Sequence, residues 1–174
     1  MWIAIGLVAV VVVIVLVLAA MRPNGFKVER VEMVGAAPEV VFPLVDDFHN
    51  WGSWSPWEKL DPAMVKTYSG ADRGVGAAYH WVGNSKAGEG NMEIVEASAP
   101  ALVKIKLDFL KPFEAHNTSQ FSMVPKEGGT EVTWSMVGPT PFAMKVMHVF
   151  VSMDKMIGKD FEEGLRNLKR VAEA

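Results

Sequence analysis

The chain predicts an α+β fold: a curved antiparallel sheet of about six to seven strands around one long C-terminal helix. Two short helices follow the first strand, and an apolar helix precedes the whole. Three patterns carry this expectation. No charged side chain occurs from Trp2 to Met21. The middle of the chain alternates apolar and polar residues, most regularly at Val103, Ile105, Leu107 and Phe109 against Lys104, Lys106 and Asp108, the period of a half-buried strand. From Phe142 to Ala172 apolar residues recur in steps of three and four, one stripe of an amphipathic helix.

The first element is "WIAIGLVAVVVVIVLVLAAM", twenty residues before the first charge at Arg22. As a helix it would rise roughly 30 Å, the depth of a bilayer core. It lacks the polar stripe of a soluble-domain helix. A secretory leader would have a basic start and an apolar run of about 7 to 15 residues. Here no Lys or Arg precedes the run, although Leu18-Ala19-Ala20 keeps cleavage open as an alternative. Arg22, Lys27 and Arg30 follow the run, and basic flanks stay cytoplasmic. The expectation is a single-pass membrane protein: residues 1–21 an anchor, 22–25 ("RPNG") a short turn-rich linker, and 26–174 one cytoplasmic domain.

"FKVERVEMV" (26–34) alternates as a strand. Pro38 suits the first turn of a helix whose face is Val41, Leu44, Val45 and Phe48, interrupted by Pro43. "HNWGSWSPWEKLDP" then places Trp51, Trp54 and Trp57 within seven residues and reads as a second short helix or helical turn ended by Pro56. Strands follow, separated by "GADRGVG", "NSKAG" and "APA". The last two are joined by Lys126-Glu127-Gly128-Gly129, a hairpin loop. Val132, Trp134 and Met136 face one way, and Glu131, Thr133 and Ser135 the other, giving the sheet a wet and an apolar side. Ser152 is placed to cap the terminal helix, after a short amphipathic segment. An apolar sheet face needs a cover, and only that helix is large enough.

Composition narrows the function. A net charge of −3, with no basic patch interleaved with aromatics, implies no nucleic-acid partner. The absence of cysteine removes disulfides, thiolate metal sites and cysteine nucleophiles. Four histidines without HExxH or similar spacing give no metal site, and no motif calls for a cofactor. "RGVG" and "GEG" are turn glycines, and "GKDFEEGL" is no phosphate loop. Its Gly158 and Gly164 lie in the helical stripe, where they allow close approach to the sheet or leave cavity volume.

The runs "AAPEVVFPLVDDFHNWGSWSPWEKLDPAM", "SGADRGVGAAYHW", "FLKPFEAHNTSQFSM" and "MDKMIGKDFEEGLRNLK" resemble the SRPBCC superfamily. More narrowly, they are similar to bacterial proteins described as polyketide cyclase/dehydratase-like, which often carry an N-terminal membrane helix. The resemblance covers essentially all of residues 26–174. It implies the START-like helix-grip fold with a deep hydrophobic cavity. Members bind lipids, sterols, hormones or polyketides, and a minority are enzymes. No motif of an established cyclase maps onto this chain, so no catalytic residue is carried over.

Within such a fold the tryptophan segment lies near one end of the cavity. Its rings either plug that end as core or line a ligand mouth, with Trp54 and Trp57 the cavity candidates. The helix would contribute Met153, Met156 and Ile157, and the sheet Tyr79, Trp81, Phe109, Phe121, Trp134 and Met136. Methionines suit an adaptable pocket as well as an ordinary core. A one-residue slip of register would invert the sheet assignments. His80, Asp108, Glu114 and His116 are the candidates for acid–base chemistry. The opposing expectation is that they alternate outward into water, because unpaired ionisable groups are rarely buried.

Three functions follow. The first is membrane-anchored binding of a small hydrophobic molecule or lipid. The second is a cyclase/dehydratase-type enzyme using a pocket His and carboxylate. The third is a protein-interaction module whose interior is filled.

Overall fold

The computed structural model describes residues 2–174; Met1, the first residue of the expected anchor, lies outside them. The order is α1 (Trp2–Ala20), β1 (Gly25–Val34), α2 (Pro38–Val41), α3 (Pro43–Asp46), two 3-10 turns (Phe48–Ser53 and Pro56–Lys59), β2 (Val65–Gly70), β3 (Ala77–Val82), β4 (Glu89–Ser98), β5 (Leu102–Lys111), β6 (Ala115–Lys126), β7 (Gly129–Pro139), α4 (Phe142–His148) and α5 (Met153–Ala172). Pro43 has no N–H to continue α2, so the single helix suggested by the apolar spacing is two four-residue pieces.

The seven strands form one antiparallel sheet in the order β1-β7-β6-β5-β4-β3-β2. Register breaks at Glu89/Gly90 and Ile94/Glu96 of β4 bend it, as bulges do. The pairings Gly25↔Pro139, Phe109↔Ala115 and Val65↔Val82 gather the starts of β1, β2 and β6 with the ends of β3, β5 and β7. We call this the entry end, because α1 joins the sheet there.

The fold is a helix grip. α5 lies across the concave face and runs in the same direction as β1. Arg30 donates from Nη1 to Asp154 (2.7 Å) and from Nε to Glu162 (2.7 Å). Lys169 reaches Glu32 (3.1 Å), and Glu173 accepts the Gly35 N–H (2.6 Å). The start of α5, capped by Ser152, is therefore at the entry end. Its buried stripe includes Gly158, Phe161, Gly164, Leu165 and Leu168. A Cβ on Gly164 would lie 2.7 Å from the Trp134 ring and 3.3 Å from Pro56 Cδ, so the glycine lets the helix settle onto the indole.

α1 has nineteen residues and no charge. From Ala4 onward only Val15 and Ala19 are covered, on the side that meets α4. At 1.5 Å per residue it rises about 28 Å, slightly under a hydrocarbon core of about 30 Å. Among the described residues no helix is long and apolar enough to cross a membrane. The structure therefore corrects the expected span over residues 2–21: the helix stops at Ala20, and Met21 is in the turn beyond it.

Candidate functional site

Half of the space between sheet and helix is solid. Val41, Val45, Phe48, Ile94, Val103, Ile105, Phe121, Met123, Leu165 and Leu168 are buried there. The other half, toward the entry end, is a hollow of about 360 Å³. Its walls include Trp51, Trp57, Met64, Tyr79, Trp81, Met92, Leu107, Phe109, Trp134, Met136, Ile157 and Phe161. Alternation puts Leu107 and Phe109 of β5, Tyr79 and Trp81 of β3, and Trp134 and Met136 of β7 on this face.

The closed end is an aromatic stack centred on Trp134. The Phe161 ring lies 4.2 Å from it and nearly parallel, Phe121 stacks behind at 4.6 Å, and Trp57 meets it edge-on at 5.3 Å. Each buried indole N–H has an acceptor. Trp134 donates to Ser119 Oγ (2.9 Å), Trp51 to the Val45 carbonyl (3.0 Å), Trp54 to the Leu44 carbonyl (2.8 Å) and Trp81 to the Ala87 carbonyl (3.0 Å). The rings are held in place by packing and polarity together. Trp81 lies flat over Gly90, its directly paired residue on β4, where a Cβ would approach the ring to 2.4 Å.

Among the expected ligand-lining residues, Trp57, Tyr79, Trp81, Phe109, Trp134, Met136 and Ile157 meet at the hollow, and four do not. Trp54 is completely buried, wedged between Trp51, Phe121 and Trp134. The segment folds as 3-10 turns broken at Pro56 rather than as one helix, so Trp51 and Trp57 reach the wall and Trp54 points into the core. Phe121, paired with Trp134 on the neighbouring strand, is hidden behind that indole. Met156 falls off the stripe set by Met153, Ile157 and Phe161 and is 46% exposed, while Met153 packs on the core edge outside the hollow.

Of the acid–base candidates, His80, Asp108 and His116 sit on the other face of the sheet and Glu114 lies in the β5–β6 turn. Asp108 lies between the inward Leu107 and Phe109 and so points outward. Its cross-strand partner is His116, whose Nδ1 is 2.7 Å from Asp108 Oδ1, with Glu114 3.3 Å from Nε2. The Asp108 hydrogen bond raises the imidazole above its ordinary value. Burial pushes Asp108 up, but the bonds from His116 and Lys106 outweigh it and hold the carboxyl below its usual range. His80 Nδ1 is 2.7 Å from Asn91 Oδ1 on that same outer face. The His–carboxylate pair exists, but none of these four side chains borders the hollow.

Besides the expected Tyr79, polar groups that were not expected border it: Glu58, Lys86 and Asp160 with the hydroxyls of Ser55 and Ser119. Tyr79 Oη donates to Glu58 Oε1 (2.8 Å), and Lys66 Nζ donates to Glu58 Oε2. Burial, then the Glu58 carboxylate, pushes the Tyr79 phenol well above its ordinary value. Asp160, on α5 beside Phe161, is raised by burial and then by Glu163. Its signal in the sequence was position: it lies three residues after Ile157 and is the acidic residue next to Phe161 in an apolar stripe. Among the described residues no group of three or more His, Asp or Glu side chains is placed to hold a metal ion.

Solved structures share the architecture at low identity. A Chromobacterium violaceum protein is 15% identical over 88% of this chain and 99% of its own, with a TM-score of 0.58. A Staphylococcus aureus protein of unknown function is 15% identical over 86% and 94%, with a TM-score of 0.61. DynU16, from the dynemicin biosynthetic locus, is 14% identical over 88% of this chain and 48% of its own, with a TM-score of 0.59. These likenesses concern the fold alone. No curated protein matches the chain. A family model described as polyketide cyclase / dehydrase and lipid transport matches residues 25–173, and the chain belongs to that family.

Proposed function

We propose that this protein binds a small hydrophobic molecule or lipid in the hollow between its sheet and α5, and that α1 holds it at a membrane. The observation that carries the reading is the unfilled apolar space of about 360 Å³, within the range of small-molecule sites. The collapsed-interior alternative has no comparable support. The anchor reading draws on α1 being apolar around its whole circumference and almost wholly exposed.

The test is to extract the full chain purified from cells and identify what leaves with it by native mass spectrometry. In parallel, an apolar dye is titrated into wild type and into Leu107→Trp, whose indole projects into the hollow and narrows it. A co-purifying apolar compound, and dye binding weakened in the narrowed variant at unchanged secondary structure, are expected. Equal dye binding by both proteins, with nothing apolar extracted, overturns the proposal.

A second reading, cyclisation or dehydration in the same hollow, rests on Asp160. Its raised carboxyl is the group on the wall nearest to a general acid. Loss of turnover in Asp160→Asn with dye binding retained is its signature. Unchanged turnover in that variant excludes this assignment.

A further inference from the structure

We infer that the entry end of the domain is a membrane-docking rim, in which Phe113, Phe150 and Leu60 enter the bilayer interface around the mouth of the hollow. This rests on the membrane reading of α1 given above.

The antiparallel register puts five connections at that end: the linker after α1, the segment before β2, the β3–β4 and β5–β6 turns, and the stretch from β7 through α4 to α5. The hollow opens among them, since Leu60, Met64, Lys86, Ala87, Ile157 and Asp160 border it. Large apolar side chains stand in solvent on these connections. Phe113 is 83% exposed at the β5–β6 turn and Phe150 is 70% exposed between α4 and α5, with Leu60, Phe142 and Val151 also exposed. On the connections of the opposite end, among the described residues, the large apolar side chains left exposed are two valines, Val40 of α2 and Val75. Scattered exposed apolar residues need no explanation, but a larger set with three phenylalanines gathered at one end does.

The occupant is a bilayer because of what else leaves from this end. α1 starts its exposed apolar course here and meets the domain at α4; from Ala4 onward Val15 and Ala19 are its covered residues. A surface that takes up α1 necessarily lies against the same connections. Aromatic side chains favour the interface region. Charge at this end is mixed, with Arg22, Lys86, Lys111, Lys145 and Lys155 partly offset by Asp61, Glu114 and Asp154. The exposed apolar side chains therefore carry the insertion, and the small basic excess adds to it without making anionic lipid a requirement. A mouth sealed against the interface lets an apolar ligand pass between bilayer and hollow without crossing water.

The natural chain has no cysteine, which makes single labels unambiguous. The full chain is reconstituted into phosphatidylcholine vesicles with an environment-sensitive fluorophore at Phe113→Cys, Phe150→Cys, Val10→Cys or Val75→Cys. The 113, 150 and 10 labels are expected to shift to the blue and to be quenched by spin-labelled lipid, and the 75 label to stay aqueous. A buried label at 10 with aqueous labels at 113 and 150 overturns the rim and leaves the anchor. An aqueous label at 10 with buried labels at 113 and 150 overturns the anchor and keeps the rim. Aqueous labels at all positions overturn both.

Discussion

Gly164→Ala sets two effects of opposite sign against each other. Alanine in a helix interior is favoured over glycine by about 1 kcal/mol. The new methyl, however, would lie 2.7 Å from Trp134 Cζ3 and 3.3 Å from Pro56 Cδ. Phe121, Trp57 and Phe161 pack against the indole at 4.6, 5.3 and 4.2 Å, and giving way toward the hollow it lines would disturb this stack and its hydrogen bond to Ser119. Overpacking of this kind costs about 1–3 kcal/mol, so the clash wins by about 1 kcal/mol. For a chain of this size that lowers Tm by about 2–4 °C. Trp134→Leu removes the nearer obstacle and leaves Pro56 Cδ at 3.3 Å, so Gly164→Ala introduced into that background should be stabilising, by at most the propensity term of about 1 kcal/mol. The assay is a four-protein cycle of thermal and urea unfolding. The reversal of sign between the two backgrounds is the prediction. Stabilisation by Gly164→Ala in both would falsify the close contact between α5 and the aromatic stack.

Other outcomes follow from the same geometry. Asp160 has a folded pKa raised by burial and Glu163, so ionisation is disfavoured in the native state and stability falls as pH rises from the unfolded value through the folded one. Asp160→Asn should therefore raise the urea midpoint at pH 7 and leave it nearly unchanged at pH 3. The outward pair behaves differently. The raised His116 contributes stability that is full below its unfolded pKa and is lost as pH rises through the folded one. The lowered Asp108 contributes above its unfolded pKa and loses this as pH falls through its folded value. NMR titration of His116 should show an elevated midpoint that returns to normal in Asp108→Asn. His116→Ala should leave dye binding intact; its loss would put the pair in the site after all. Arg30→Met removes the link to Glu162 and Asp154 from a partly exposed site. The expected loss is about 1 kcal/mol and shrinks in high salt, read by unfolding at two ionic strengths.

Most of the fold was legible because it is periodic. Period-two alternation in β5 and β7 placed Leu107, Phe109, Trp134 and Met136 on one face, and the same alternation already turned Asp108 and His116 outward. The stripe on α5 carried Ile157 inward, but Met156, expected in the cavity, lies off it and is exposed, and Met153 and Phe121 miss the hollow although they too lie on periodic elements. The other failures were aperiodic. Trp51, Trp54 and Trp57 have helical spacing in sequence but fold as two 3-10 turns around Pro56, so depth could not be read from spacing. Glu58 was invisible for a related reason: its partners Tyr79 and Lys66 come from β3 and β2, and only the tertiary approach of the 3-10 turn brings the three together.

The hollow is itself an energetic problem that the fold has to meet. A closed, dry void costs about 24 cal/mol per Å³. At about 360 Å³ the same slope gives roughly 9 kcal/mol, comparable to the whole stability of a typical domain. The space opens at the entry end, so water can enter and the penalty is smaller than that. Water needs polar partners to stay, and here they are confined to a few positions, Glu58, Lys86, Asp160 and the wall hydroxyls, against a wall that is otherwise aromatic and aliphatic. An apolar occupant removes the remaining cost, which turns unfilled volume into binding energy. The solid half of the interior, from Val103 to Leu168, supplies the stability that lets the other half stay open. Leu107→Trp separates these roles: narrowing the hollow should raise the melting temperature of the unliganded protein and weaken dye binding together. A variant that loses dye binding but melts lower has disrupted the wall instead of occupying the space.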